Sequence, residues 1–127
     1  AKPITKRSSA EESHRSWNQH VIDRFKEQQV NPKFEMELHV LRLGDVAVAT
    51  NPFELFLDFG LRIKTRCKAS QTFIVQLACS AGWYLPPIKA ADGGGYSAII
   101  QSNLVGPEGG DMLVTRTVEL VNAMWAK

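Results

Sequence analysis

Two apolar runs, VAVAT at 46–50 and QTFIVQLAC at 71–79, are separated by a stretch whose apolar residues recur at helical spacing. This arrangement constrains the fold more than any other feature of the chain. Val46–Thr50 shows no polar alternation, and Gln71–Cys79 is likewise largely apolar, so both read as buried strands. Between them Leu55, Phe59 and Ile63 fall on one helical face with Phe56 alongside. Arg62, Lys64 and Arg66 enrich the last turns, where the helix macrodipole favours cations. Asn51 or Pro52 is expected to start this helix, since proline is tolerated in a first turn. Strand, helix and strand with short connections make a βαβ unit with parallel strands and a right-handed crossover.

Upstream of VAVAT the period is two. In FEMELHVLRL, Phe34, Met36, Leu38 and Val40 alternate with Glu35, Glu37 and His39, as in a half-buried strand. Gly44-Asp45 then forms a glycine-first turn, so 34–43 and 46–50 read as a β-hairpin. Further upstream, Ser9 and Glu12 have capping-box spacing, and Trp17, Val21 and Phe25 form an apolar stripe with Ile22 beside them. This helix should end before Val30-Asn31-Pro32. Downstream, Tyr96–Gln101 reads as a short strand. A last helix is expected from about Asp111, with Leu113, Val114, Thr117, Leu120, Val121 and Met124 toward the core.

The expected fold class is therefore α/β with α+β character. It comprises a mixed sheet of three or four strands, made of the hairpin and the βαβ unit and flanked by helices, with the 34–43/46–50 hairpin and 71–79 in its centre and Val46–Thr50 as a buried central strand. Residues 1–127 fit one domain, or the C-terminal part of a larger catalytic domain, with 1–8 as a flexible tail. A net charge of +2, with bases interspersed among acids, gives no electrostatic footprint for nucleic acid. No apolar run is long enough to span a membrane.

The stretch CSAGWYLPPIKAADGGGYSA, 79–98, is far longer than an ordinary connection, and long connections in compact domains are commonly functional. It carries Trp83, Tyr84 and Tyr96. Ligands of parallel sheets bind beyond the carboxyl ends of the strands. The two strands of the βαβ unit end at Thr50-Asn51-Pro52-Phe53-Glu54 and at Cys79-Ser80-Ala81-Gly82-Trp83-Tyr84, so one rim collects Glu54 and the start of the long loop. Glu54 is then either a functional carboxylate or a residue that complements the dipole of its helix. Gly93-Gly94-Gly95 would aim Tyr96 back across the same edge.

Other motifs are weaker. Gly106-Pro107-Glu108-Gly109-Gly110 lacks the lysine of a phosphate loop. His14, His20 and His39 do not by themselves have the spacing of a metal site. Cys79 is expected to be buried and inert, and a bridge to Cys67 stays open.

The runs GDVAVATNPFELFLDFGLRIK, FIVQLACSAGWYLPP and GGGYSA, in this order over about residues 36–125, resemble the end of the catalytic domain of neutral/alkaline non-lysosomal ceramidases and their bacterial relatives. The resemblance implies a zinc-dependent amidohydrolase cleaving an N-acyl amide, such as a ceramide-like lipid, with metal-activated water. Two histidines, a glutamate and a tyrosine hold zinc in that family. The resemblance matches the glutamate to Glu54, the tyrosine ligand to Tyr84, and a second tyrosine near the scissile carbonyl to Tyr96. Phe53 stands where ceramidases proper tend to have glycine. The histidine ligands are expected from an upstream part of the same protein, so the chain alone is expected to be inactive. That part, or a second copy in a homo-oligomer, would cover apolar surface. The resemblance also implies an extracytoplasmic origin, secreted or periplasmic. The alternative is a non-enzymatic module that keeps the fold and binds a partner or apolar ligand through the 79–98 loop.

Overall fold

The computed structural model describes residues 8–125, which fall into two compact units, one up to Lys33 and one from Phe34 onward. The expected tail, residues 1–8, lies outside the described residues except for Ser8. The first unit is the helix α1 (Ser9–Glu27). Its capping box sits one residue earlier than the spacing of Ser9 and Glu12 suggests. The Ser8 hydroxyl accepts from the Glu11 N–H, and the Glu11 carboxylate accepts from the Ser8 N–H at 2.8 Å.

The second unit is built around a mixed three-stranded sheet of β1 (Val40–Leu43), β2 (Val46–Thr50) and β4 (Gln71–Val75). Between β2 and β4 lie β3 (Glu54–Leu55) and α2 (Leu57–Arg66). After β4 come β5 (Tyr84–Leu85), α3 (Ile88–Gly93), a 3-10 turn (Ile100–Ser102) and α4 (Pro107–Ala123). β1 and β2 pair antiparallel with Leu43 opposite Val46, and β2 and β4 pair parallel with Val46 opposite Gln71. The hairpin and the parallel pair of the βαβ unit are both present. The fold is α/β.

Several boundaries differ from the sequence expectation, each for a local reason. Only Val40–Leu43 of the 34–43 arm is paired, because β2 is five residues long and Ala49 already lies opposite Val40. The alternation upstream serves packing instead: Met36 and Leu38 rest against the core, and the Phe34 ring lies 5.6 Å from that of Phe53. The run 71–79 is a strand only to Val75 and occupies an edge, with β2 in the centre. α2 begins at Leu57 rather than at Asn51 or Pro52, because 51–55 form a turn and a second strand pair. Tyr96–Gln101 contains no strand, and α4 starts at Pro107, where the ring occupies a first-turn position that lacks an N–H partner anyway.

α2 and α4 supply most of the core: Phe53, Leu55, Phe59, Ile63, Leu85, Leu113, Val114 and Val118 form one buried cluster. Full burial of each such side chain stabilises by about 1.5–3 kcal/mol relative to exposure. A Cβ at Gly110 would lie 2.2 Å from Phe59 Cζ, so this glycine lets the start of α4 close onto α2. Leu113, Val114, Thr117 and Val121 are buried as the helical period requires, whereas Leu120 is 42% exposed. At the sheet's far end, Arg42 donates to the Met124 carbonyl and stacks over the Trp125 ring at 4.1 Å. Among the described residues, no helix is long and apolar enough to cross a membrane.

Candidate functional site

The carboxyl ends of β2 and β4 do not diverge into loops but are laced together. Asn51 N–H donates to the Val75 carbonyl at 2.9 Å, and Ala78 N–H returns a bond to the Asn51 carbonyl at 2.9 Å. The buried Asn51 side chain accepts from Phe53 N–H at 3.0 Å, an Asx turn that redirects the chain at Pro52. Gly82 N–H then donates to the Pro52 carbonyl at 2.7 Å, and Glu54 N–H to the Trp83 carbonyl at 2.9 Å. The result is a second, two-residue parallel pair, with Glu54 opposite Tyr84 and Leu55 opposite Leu85. Gln76 completes it by accepting from Leu55 N–H through its side chain at 2.9 Å.

Glu54 therefore lies in β3, ahead of α2, and not in that helix's first turn. A dipole-complementing role at the helix start does not describe it. Parallel neighbours in register project their side chains to the same face. Hydrogen bonding toward Glu54, followed by burial and the charges of Glu54 and Tyr96, raises the Tyr84 phenol above its ordinary pKa. The carboxylate holds the phenol's proton in place.

Tyr96 arrives from the far end of the long segment. Its ring meets that of Tyr84 edge-to-face, with centroids 5.8 Å apart and planes at 77°, and it is 62% exposed. Gly94 and Gly95, at φ 73° and 102°, turn the chain toward this contact in a region closed to most side chains. One residue unmarked by any motif fastens the arrangement. The Asn103 side-chain amide donates to the Tyr84 carbonyl at 3.1 Å and to the Ser97 carbonyl at 3.0 Å. The 79–98 segment is thus an ordered wall, containing β5 and α3, rather than an unstructured connection.

The three residues singled out in the sequence thus lie side by side. Glu54 and Tyr84 offer a carboxylate and a phenol, which fit half of a four-donor zinc site. Among the described residues Glu54 belongs to no cluster of three histidine, cysteine or carboxylate donors. A separate cleft of about 520 Å³, lined by Phe59, Arg62, Pro87, Ile88 and Pro107, includes none of the three. Two cations line it, Arg62 and Lys89, and Arg62 is engaged, bonded to Asp111 at 2.7 Å and lying 3.8 Å from Asp58.

The cysteines differ from expectation. Both are free thiols, and Cys79 is exposed rather than buried. Leu77 and Cys79 adopt positive φ of 53° and 66°, and Cys79 shares the parity of the exposed Phe73 and Val75 of β4, so nothing in the strand period turns its thiol inward. Cys67 is the half-buried one, and burial pushes its thiol pKa up. No family model, curated protein or solved structure matches the chain.

Proposed function

We propose that this chain contributes one wall of a ceramidase-like zinc amidohydrolase site that cleaves an N-acyl amide of a lipid-like substrate. Glu54 and Tyr84 are two of the zinc ligands, and an upstream part of the same protein supplies the histidines. The observation that carries this reading is the register pair Glu54–Tyr84, with the carboxylate holding the phenol's pKa up and Tyr96 against its ring. When bound, zinc supplies an acidified water and a Lewis acid for the amide carbonyl. Glu54 positions Tyr84 and is the acceptor for its proton in the register pair. Tyr96 is exposed, and its hydroxyl is a donor for a carbonyl oxygen that gains negative charge. Asn103 keeps both tyrosines at the rim. Across the sheet, Leu41, Val48 and Phe73 form one row in which Leu41 and Phe73 are 59% and 52% exposed, a surface that an upstream segment would cover.

The test uses the protein with its upstream sequence: zinc content and N-acyl amide turnover in Glu54→Gln, Tyr84→Phe and Tyr96→Phe. Loss of metal in the first two, and loss of turnover with metal retained in the third, is the expected pattern. Wild-type zinc and turnover in all three would remove the assignment. A binding module is the second reading, favoured by the exposure of Tyr96, Ile88 and Ile100 at 62%, 59% and 62%. It requires that apolar-ligand binding survive Glu54→Gln and fail on Tyr96→Ala.

A further inference from the structure

Glu37 and His39 lie on the segment leading into β1, and Cys79 lies on the loop leaving β4. Their carboxylate, imidazole and thiol donor atoms all fall within 4.8 Å of one another. His39 Nε2 and Glu37 Oε2 are 3.0 Å apart. The geometry points to a binding site for a zinc-class divalent cation, held by Cys79 Sγ, an imidazole nitrogen of His39 and a carboxylate oxygen of Glu37. This site uses none of Glu54, Tyr84 or Tyr96 and stands independently of the function proposed above.

The donor set selects the ion. Thiolate and imidazole together favour zinc over magnesium or calcium, which require an oxygen shell. Bond lengths of about 2.0–2.3 Å in a tetrahedron put donors about 3.4–3.6 Å apart, so the present separations need only small side-chain rotations to converge. Three protein donors leave one coordination position for water, and all three residues are exposed, which provides the entry path.

The backbone holds these residues in place before any ion arrives. His39 N–H donates to Thr50 Oγ1 at 3.1 Å, and Thr50 N–H donates to the His39 carbonyl at 2.9 Å. The bond from Ala78 N–H to Asn51 at 2.9 Å anchors the neighbour of Cys79. Cys79 itself, at φ 66°, occupies a conformation that side chains with a Cβ seldom adopt. Packing does not account for this convergence, because no member of the cluster is buried. The exposed ion pair contributes little to stability. Binding releases the thiol proton of Cys79 to solvent, so affinity rises with pH.

The test is a Co²⁺ titration of the full chain, followed by Zn²⁺ displacement. One Co²⁺ per chain is expected, with a thiolate-to-cobalt charge-transfer band that Zn²⁺ abolishes. Cys79→Ser should lose the band. His39→Ala and Glu37→Gln should weaken binding by at least the roughly 10–100-fold that loss of an outer-shell partner costs. Cys67→Ser and Glu54→Gln should leave the band unchanged. A band absent from the folded wild type, surviving Cys79→Ser or lost on Glu54→Gln overturns the proposal. A second measurement needs no variant: Zn²⁺ should protect Cys79, but not Cys67, from alkylation in the wild-type chain. An unchanged Cys79 alkylation rate at saturating Zn²⁺ would equally overturn it.

Discussion

Tyr84 stands directly opposite Glu54 in a parallel strand pair only two residues long, and the glutamate holds the phenol's pKa above its ordinary value. So short a pair has little stability of its own. It persists because Leu55 and Leu85, the next residues along, are both buried in the core. The polar pair is thus held at the rim by the apolar pair beside it.

Removing the carboxylate charge should release the phenol. In metal-free protein, Glu54→Gln should ionise Tyr84 at lower pH than the wild type, read from tyrosinate absorbance with Tyr96→Phe as the background. The sign also reaches stability. A phenol whose folded pKa is raised contributes stability that is complete below its unfolded pKa, and that contribution is lost as pH rises through the folded value. Wild type should therefore lose more stability than Glu54→Gln on moving from neutral into the tyrosine range. Identical alkaline titrations in the two proteins would contradict the raised phenol pKa.

Gly82 should not tolerate a methyl group. A Cβ there would lie 2.5 Å from Phe53 Cδ1 and 2.7 Å from Cε1, and the Phe53 ring is buried at 2% exposure. Gly82→Ala should cost about 1–3 kcal/mol, as overpacking does in a filled core. In a Phe53→Ala background, itself about 3–5 kcal/mol less stable, the same change should cost much less. Urea unfolding of the four proteins closes this cycle, and additive costs would show that the two positions do not meet.

The two thiols should separate by reactivity. Cys79 is exposed, whereas Cys67 is half-buried with its pKa raised by that burial. Limited alkylation at neutral pH, followed by peptide mass mapping, should mark Cys79 well before Cys67. Because the folded pKa of Cys67 is the raised one, its contribution to stability is complete below the unfolded thiol pKa and falls as pH rises through the folded value. Cys67→Ala should flatten the loss of stability in that alkaline window. Equal labelling rates for the two thiols would contradict the burial.

The parallel pairing of 46–50 with 71–75 was legible because continuous apolar runs flanking a helical pattern have few other solutions. The meeting of Glu54 and Tyr84 followed from that topology, since both leave the same sheet edge. Other features carry no sequence signal. The alternation at 34–38 has the period of a strand, yet it serves a segment that packs without pairing. A two-residue strand such as β3 offers no periodicity to detect. The left-handed backbone at Leu77 and Cys79, which ends the run after β4, falls on residue types that give no warning of it. Asn103 and Gln76 act through single side-chain amides bonded to backbone far away in sequence, which only the folded chain brings together.

The amide of Asn103 has a consequence for motion. By bonding the Tyr84 and Ser97 carbonyls at once, one side chain joins the two ends of the segment between them. Neither end can lift away without breaking a bond that also steadies the other, so the wall opens as one cooperative unit rather than by fraying from either end. Amide exchange across 84–97 should consequently show a common opening free energy. Asn103→Ala should split it into two, a fast-exchanging stretch near Tyr96 and a slower one anchored at Leu85.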